Sequence, residues 1–260
     1  ISQYRNVDRA RYREYNTLKY SMRSVFKHIP WAKHWWLITG QQVPTFLDAS
    51  QTAYDTVIER DGHFLHIVSH KSLIPKEYLQ TFISEAIETF IHKIPGIAEC
   101  FIYFNDDFLM NRDVLPTHYV YPNGTWIHYI DDAVVPIKKY MNNQLYHNSM
   151  AMTLREMNGF AHFPLDRPFP YISHCAYFMR KKVLNKLEQH FAQKFDYVRK
   201  SKFRVYNSFT TVYATMLYDA FKEPTEFRMM KDGWDLLTFV SLMRKKNVEI
   251  FKEIERTNPY

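Results

Sequence analysis

The pattern that most constrains the fold is an apolar strand–helix–strand run that ends in three polar residues. FLHIV (64–68) is typical of a buried strand, residues 76–94 carry apolar side chains at helical spacing, and CFIYF (100–104) is typical of a second strand. Asn105, Asp106 and Asp107 follow that strand directly. Strands that alternate with a helix predict an α/β layer with parallel strands.

The flanking sequence extends this prediction. Residues 15–29 predict a helix that ends before Pro30, and HWWLIT (34–39) predicts a further buried strand. Segment 115–172 holds six of the twelve prolines, and we expect long loops with short strands there. The C-terminal third is expected to be mainly helical, with helices over 177–191, 207–221 and 235–256.

No linker separates two domains, so we predict a single domain over 1–260. An irregular insert (115–170) divides this domain into a first part (1–114) and a last part (171–260). No apolar run approaches the roughly 18–20 residues that a membrane-spanning helix requires. The polar, charged opening of the sequence does not resemble a signal peptide.

Glycine is scarce and scattered, which excludes two nucleotide-binding motifs and one hydrolase motif. The six glycines lie at positions 40, 62, 96, 124, 159 and 233. A Walker A loop, a GxGxxG turn and a GxSxG nucleophile elbow each need clustered glycines, so the sequence contains none of them. Phosphate chemistry in this chain would therefore depend on side chains and a metal ion.

The charge balance favours phosphate-bearing partners without choosing among them. The 34 Lys and Arg residues outnumber the 27 Asp and Glu residues, which gives a formal net charge of +7. Such a charge suits nucleic acid, a membrane surface or a nucleotide sugar alike. Cys100 and Cys175 are the only cysteines, so neither a thiolate zinc site nor a disulfide scaffold is expected.

Asn105, Asp106 and Asp107 are the first candidate site residues. Two carboxylates just past a buried strand lie where open α/β sheets bind their ligands, and Mg²⁺ commonly takes one or two carboxylates plus substrate phosphate oxygens. The alternative is structural, because Asn and Asp are also favoured in turns and helix caps. From the residues alone, the structural alternative is the more favoured of the two.

His174 and Arg204 are the other main candidates. His174 precedes an amphipathic helix with a basic first turn, and a histidine can take a proton from an attacking hydroxyl. The guanidinium of Arg204 suits the oxygens of a diphosphate. A packed histidine and a surface arginine are the structural alternatives, and Arg11 and Arg23 have the same ambiguity.

Segments 18–48, 79–114 and 171–204 form a long, ordered pattern that resembles the Stealth phosphotransferases. This family includes the GlcNAc-1-phosphotransferase catalytic subunit and capsular polysaccharide phosphotransferases. Segments 18–48 and 79–114 resemble its second conserved region, and segment 171–204 resembles its third. Ala176 stands where the family usually has proline, and LQTFIS, with Gln80 and Ile83, replaces the usual LPTFNS. The matching positions include Leu18, Tyr20, Arg23, Pro30, Trp31, Gly40, Thr81, Phe82, Ser84, Glu88 and the FIYFNDD block.

The resemblance implies a Rossmann-like, nucleotide-sugar-transferase-like parallel sheet with a mainly helical C-terminal third. It also implies transfer of a sugar 1-phosphate, such as GlcNAc 1-phosphate, from a nucleotide sugar to an acceptor hydroxyl. In that chemistry Asp106 and Asp107 would hold Mg²⁺ or Mn²⁺, and His174 would be the general base. Arg204, Arg11 and Arg23 would bind substrate phosphates, and Asn105 would support the acidic loop.

The partners implied by the resemblance are a nucleotide-sugar donor and an acceptor oligosaccharide, glycoprotein or capsular polysaccharide. Nucleic acid is not expected, and a membrane is expected only through segments outside 1–260. The first and fourth conserved regions of the family are also expected outside this sequence. A eukaryotic member would lie in the Golgi, whereas a bacterial capsule enzyme would be cytoplasmic.

Three alternatives remain open from sequence. The charge and the aromatic content permit a nucleic-acid-binding module, although the basic residues are spread and no RRM, KH or zinc-finger signature occurs. A catalytically incomplete glycan-binding relative would keep the fold without turnover. A metal-dependent glycosyltransferase would share much of the same physics.

Overall fold

The computed structural model describes residues 17–40, 42–47, 55–135, 145–162, 169–225 and 227–231. None of the helices in these ranges has both the length and the apolar character to span a bilayer. The helices are α1 (Thr17–His28), α2 (His70–Leu73), α3 (Ser84–Glu88), α4 (Leu145–Ala161), α5 (Lys181–His190), α6 (Ala192–Lys200) and α7 (Thr211–Lys222). The strands are β1 (His34–Thr39), β2 (Thr56–Arg60), β3 (His63–Ser69), β4 (Cys100–Tyr103), β5 (Trp126–Val134), β6 (Pro170–Ile172), β7 (Tyr177–Arg180) and β8 (Phe227–Lys231).

The strands of the described ranges form three small sheets. β1 and β3 pair in parallel, and β2 pairs with β3 in the antiparallel direction. β4 and β7 form a separate antiparallel pair, with Tyr103 opposite Tyr177. In the third sheet, β5 pairs antiparallel with β6 and parallel with β8. The carboxyl end of β4 therefore lies beside the amino end of β7.

The predicted α/β class is confirmed as a mixed α/β structure, but the Rossmann-like parallel sheet is not confirmed. β1 and β3 are parallel, as expected. β4, however, pairs with β7 and not with either of these strands. Its sequence, CFIY, is apolar throughout, so no alternation of apolar and polar residues indicates its neighbour or its direction.

The single helix predicted over 76–94 is wrong. Helical structure there is broken into 3₁₀ turns at Lys76–Tyr78 and Ile91–Lys93 and the short helix α3. Gln80 has a φ of +69°, which is outside the right-handed helical region. The amide of Phe82 donates to the carbonyl of Lys202 at 3.0 Å, so tertiary contacts replace the helical hydrogen bonds that the apolar spacing predicts.

The helical C-terminal third is confirmed as far as the structure describes it, by α5, α6 and α7. The helix predicted from 177 begins only at Lys181, because 177–180 is the fully buried strand β7. The predicted helix over 235–256 lies outside the described residues. The prediction of loops and short strands for 115–172 is wrong at α4, which has 17 residues. The division of the chain into three parts stays a prediction.

Two main apolar clusters, and a small third one that includes Trp126, hold these elements in place. The larger one joins α4 to α7 and includes Leu154, Leu184 and Tyr213, all fully buried. The smaller one packs residues of 90–97 against the faces of β1 and β3. α3 contributes to both clusters, and this position places its two glutamates in the interior.

Candidate functional site

The acidic loop (105–107) leaves the end of β4 at the surface. Asp106 and Asp107 are exposed, whereas Phe108 behind them is buried in the larger apolar cluster. The amide of Phe108 donates to the carbonyl of Asn105 at 3.3 Å and closes a tight turn. The loop thus exposes two carboxylates to solvent, and the buried side chain of Phe108 holds it in place.

His174 lies in the loop between β6 and β7 and meets the acidic loop. The antiparallel pairing of β4 with β7 brings the two loops to the same edge. His174 Nε2 lies 3.9 Å from Asp107 Oδ2. The ring of Phe108 packs edge-on against the imidazole, with 4.8 Å between ring centroids. The structure therefore brings together two of the residues that the sequence selected.

The second ring nitrogen of His174 has its own partner. Nδ1 lies 3.2 Å from the hydroxyl of Tyr177, which orients the ring so that Nε2 faces Asp107. The His174 and Asp107 side chains are 40% and 60% exposed, so both are accessible to a substrate. A distance of 3.9 Å exceeds that of an ordinary hydrogen bond, so Nε2 and the carboxylate are neighbours at the surface.

Interaction with His174 changes the acidity of the adjacent carboxyl group. Contact with the imidazole lowers the pKa of Asp107 below the ordinary value of an aspartate, against the opposing effect of partial burial. Asp107 is therefore ionised at neutral pH. Its negative charge therefore lies beside Nε2 of His174.

Behind the acidic loop, two buried glutamates lie close to the positive charge of one arginine, Arg204. Glu85 and Glu88 lie on α3 and are almost fully buried. Arg204, in the loop between α6 and α7, donates from Nε to Glu85 Oε2 at 3.2 Å. Burial raises the pKa of Glu88 to about 7, and the negative charge of Glu85 acts in the same direction. The arrangement thus places a carboxyl group that titrates near neutrality inside the protein.

Hydrogen bonds connect Glu88 to the acidic loop. The hydroxyl of Tyr103 lies 3.3 Å from Glu88 Oε1 and 2.7 Å from Asn105 Oδ1. The hydroxyl of Thr211 donates to Glu88 Oε2 at 3.3 Å. The Tyr103 hydroxyl therefore holds the side chain of Asn105, the first residue of the acidic loop.

Arg204 and His174 are both neighbours of the ring of Tyr146. The guanidinium carbon lies 5.4 Å from the ring centroid of Tyr146, and that ring is 6.5 Å from the ring of His174. Arg204 and His174 thus flank the same tyrosine. The contact with Glu85 uses only one of the five N–H donors of the guanidinium.

Among the described residues no contact links Arg23 to this group, and its predicted role in substrate binding stays a prediction. Arg23 is exposed on α1, and it forms no ion pair with any other residue that the structure describes. Its neighbour Ser24 accepts a hydrogen bond from the amide of Met110 at 2.9 Å, so α1 supports the segment after the acidic loop. Arg11 lies outside the described residues, and its predicted role stays a prediction.

A cavity of about 740 Å³ opens beside the acidic loop. It lies between α1, β1 and β4, and Asn105 and Asp106 form part of its wall. Most of the remaining wall is apolar and includes Trp35, Ile38 and Phe101. Its volume is within the range of about 300–1,000 Å³ that is usual for small-molecule sites.

Asp106 and Asp107 offer oxygen donors for the metal ion expected from the sequence. Within the described ranges, no group of three or more His, Cys, Asp or Glu side chains is arranged to hold a metal. Two exposed carboxylates are still enough for Mg²⁺, because this ion keeps several waters and takes phosphate oxygens as further ligands. The donor set fits Mg²⁺ and does not fit a zinc site, which needs three or four protein ligands.

Sequence reasoning missed most of the supporting residues. Glu85 and Glu88 stand in an otherwise apolar run, and two carboxylates one helical turn apart in such a run are the signal that could have indicated them. Tyr103, Tyr146 and Tyr177 carried no such signal, because tyrosine is common in this aromatic-rich sequence.

Two conserved regions of one family match this chain. The model for Stealth protein CR2, conserved region 2, matches residues 11–128, which include the acidic loop. The model for Stealth protein CR3, conserved region 3, matches residues 173–218, which include His174 and Arg204. Together these regions cover more than half of the sequence.

Curated bacterial proteins are similar to the same parts of the chain. A capsular polysaccharide phosphotransferase of Actinobacillus pleuropneumoniae is 41% identical over 118 residues, which are 45% of this chain and 30% of that protein. An exopolysaccharide phosphotransferase of Streptomyces coelicolor is 29% identical over 219 residues, which are 84% of this chain and 34% of that protein. A third, from Lactiplantibacillus plantarum, is 34% identical over 131 residues, or 50% of this chain and 36% of that protein.

The chain spans about a third of the length of these relatives. The two matched regions supply the two loops whose side chains meet at His174 and Asp107. The chain therefore belongs to the Stealth protein family, of which it carries the second and third conserved regions.

Proposed function

We propose that the complete protein transfers a sugar 1-phosphate from a nucleotide sugar to a hydroxyl group of an acceptor polysaccharide. The observation that carries this proposal is the position of His174 Nε2, 3.9 Å from Asp107 Oδ2 beside a loop with a second carboxylate. The similarity to capsular and exopolysaccharide phosphotransferases supports both the phosphotransferase class and a polysaccharide acceptor. GlcNAc 1-phosphate, from UDP-GlcNAc, is the transferred group that we propose to test first.

In the transfer step, the acceptor hydroxyl oxygen forms a bond to the phosphorus atom next to the sugar. The bond from that phosphorus to the bridging oxygen breaks, and the nucleoside monophosphate leaves with the electron pair. The hydroxyl proton passes to His174 Nε2. The product is a phosphodiester between the donor sugar and the acceptor.

The residues around His174 favour this proton transfer. The Tyr177 hydroxyl lies 3.2 Å from Nδ1, which leaves Nε2 as the nitrogen that would take the proton. The ionised Asp107, 3.9 Å from Nε2, would offset the positive charge that develops on the ring as the proton arrives. General base catalysis of this kind contributes about 10²–10⁴-fold to a rate.

Charge on the donor diphosphate needs compensation. Asp106 and Asp107 would hold Mg²⁺, and the bound ion would neutralise charge on the phosphate oxygens. Arg204 would add guanidinium N–H donors from the Tyr146 side of the site. The apolar cavity next to Asp106 offers room for the uncharged parts of a substrate.

The identity of the leaving group tests this proposal. The full-length protein is incubated with UDP-GlcNAc labelled with ³²P at the phosphate next to the sugar, together with a polysaccharide acceptor and Mg²⁺. We expect label in the acceptor as a phosphodiester, with release of unlabelled UMP. Release of labelled UDP would instead show glycosyl transfer, and the absence of any turnover would favour a glycan-binding role.

A further inference from the structure

Asn105 and the buried Glu88 share one hydroxyl group, that of Tyr103. This hydroxyl lies 2.7 Å from Asn105 Oδ1 and 3.3 Å from Glu88 Oε1. A phenol has a single proton and donates to one acceptor at a time. Burial raises the pKa of Tyr103, so the hydroxyl keeps that proton at neutral pH. The chain Glu88–Tyr103–Asn105 can therefore run in either of two hydrogen-bond directions.

Each direction requires a different orientation of the Asn105 amide. When Glu88 is protonated, its carboxyl group donates to Tyr103, and Tyr103 donates to Oδ1 of Asn105. When Glu88 is ionised, the carboxylate takes the hydrogen bond from Tyr103, because a hydrogen bond to a charged acceptor is about twice as strong as one to a neutral acceptor. The amide of Asn105 must then rotate so that Nδ2 donates to the phenol oxygen.

We propose that Glu88 is a positioning residue that selects, through Tyr103, which end of the Asn105 amide is turned towards the cavity. Asn105 forms part of the cavity wall beside Asp106. With Glu88 protonated, Nδ2 is turned away from Tyr103 and can donate to phosphate oxygens. With Glu88 ionised, Oδ1 is turned away from Tyr103 and cannot.

The surroundings of Glu88 allow both its protonated and its ionised form to be populated near neutral pH. Glu85 on the same helix favours the protonated form, whereas Arg204, Tyr103 and the Thr211 hydroxyl favour the ionised form. The hydroxyls of Tyr146 on α4 and Tyr177 on β7 also face this carboxyl group, and burial raises the pKa of each, so both stay neutral. The net result is the pKa of about 7 for Glu88.

The rotation of the amide is a property of the fold, and its effect on ligand binding rests on the proposed function. A nucleotide sugar contains a disubstituted diphosphate that stays fully ionised around neutral pH, so the donor itself does not titrate in this range. Because Nδ2 of Asn105 can donate to the donor's phosphate oxygens only when Glu88 is protonated, the protein with Glu88 protonated should bind the donor more tightly. One hydrogen bond to a charged group corresponds to about a tenfold difference in affinity.

The test follows the side-chain amide of Asn105 by NMR in the full-length protein with ¹⁵N-labelled asparagine. The signal is assigned by its loss in Asn105→Asp and is followed from pH 6 to pH 8, one unit on either side of the pKa of about 7. We expect a titration in the wild type and none in Glu88→Gln or Tyr103→Phe. Thr211→Val, which removes a partner of Glu88 outside this route, should still titrate with a higher midpoint.

A wild-type signal that does not move with pH would overturn the proposal, and so would an unchanged titration in Glu88→Gln or Tyr103→Phe. The affinity for UDP-GlcNAc should fall more between pH 6 and pH 8 in the wild type than in Glu88→Gln. Equal losses in both proteins would overturn the effect on the ligand. If the amide titrates as expected but no transfer occurs, the positioning role stands and the proposed function fails.

Discussion

His174 is fixed by three different side chains. Tyr177 contacts one ring nitrogen, Asp107 faces the other, and Phe108 packs edge-on against the ring. A side chain held in this way loses little conformational freedom when a ligand binds beside it. The same geometry explains the low pKa of Asp107.

Glu88 should make the stability of the protein depend on pH. Its folded-state pKa of about 7 is raised above the ordinary value of 4.5, so its contribution is complete below about pH 4.5 and is lost as the pH rises through 7. The loss corresponds to about 3 kcal/mol of unfolding free energy. A glutamine side chain does not titrate, so Glu88→Gln should gain stability relative to the wild type across this range.

Thermal or urea unfolding at several pH values measures this difference. We expect the two stability curves to diverge between pH 4.5 and pH 7 and to run parallel above that range. Parallel curves throughout would show that Glu88 titrates near its ordinary value and that its burial does not disfavour the charged form.

Individual residues could be predicted from sequence only where a pattern or a resemblance selected them. Asp107, His174 and Arg204 were selected and lie in one neighbourhood. Glu88 could not be assigned its role, because its pKa depends on burial by α7, α4 and β4, which are distant in sequence. Arg23 was selected by the same resemblance and remains exposed.

At the scale of elements, the segment before α3 shows where local periodicity fails. The apolar spacing over 76–94 is that of a helix, yet Gln80 adopts a φ of +69° and Phe82 bonds to Lys202. Tertiary contacts with the loop that carries Arg204 determine this backbone, and periodicity contains no information about them. The strands β1, β3 and β4 were predicted close to their observed bounds from short apolar runs, although β1 and β4 are largely half-buried and not fully buried as expected.

Gln80 provides a direct test of this backbone. Proline is fixed near a φ of about −65°, so it cannot adopt the conformation observed at this position, although LPTFNS is the usual family sequence. Gln80→Pro should destabilise the protein by more than about 1 kcal/mol, whereas Gln80→Gly should be neutral or stabilising, because glycine accepts a positive φ. Melting temperatures of the two variants decide the matter, and a stabilising proline would contradict the observed backbone.

The helix α4 was not predicted because it lies in a proline-rich segment and its polar and apolar residues are mixed. Burial of Leu154 and Met157 against α7 holds it in place, and such contacts are not visible in the sequence. Tertiary packing of one helical face commonly outweighs intrinsic propensity.

Gly159→Ala should stabilise α4. A Cβ atom at this position meets no other atom within 4 Å, and alanine is preferred over glycine in a helix by about 0.5–1 kcal/mol. Leu154→Ala, at a fully buried position of the same helix, should instead cost about 2–5 kcal/mol. Equal effects of the two variants in chemical denaturation would show that α4 does not pack as described.

At the scale of the whole molecule, the site is assembled from segments far apart in the sequence. β4 supplies the acidic loop, β7 follows the loop with His174, and α3 and the loop before α7 supply Glu88 and Arg204. The sequence could predict that these segments matter, through the resemblance of two regions to one family. It could not predict that β4 and β7 pair with each other, and this pairing is what brings the two loops together.

The central claim is that His174 takes the proton of the acceptor hydroxyl during phosphoryl transfer. The measurement that tests it most directly is the transfer rate of full-length His174→Gln beside His190→Gln, which changes an exposed histidine at the end of α5. We predict a loss of about 10²–10⁴-fold in kcat for His174→Gln, with little change in donor binding and near-normal turnover of His190→Gln. A His174→Gln protein that transfers sugar 1-phosphate at close to the wild-type rate would contradict the account.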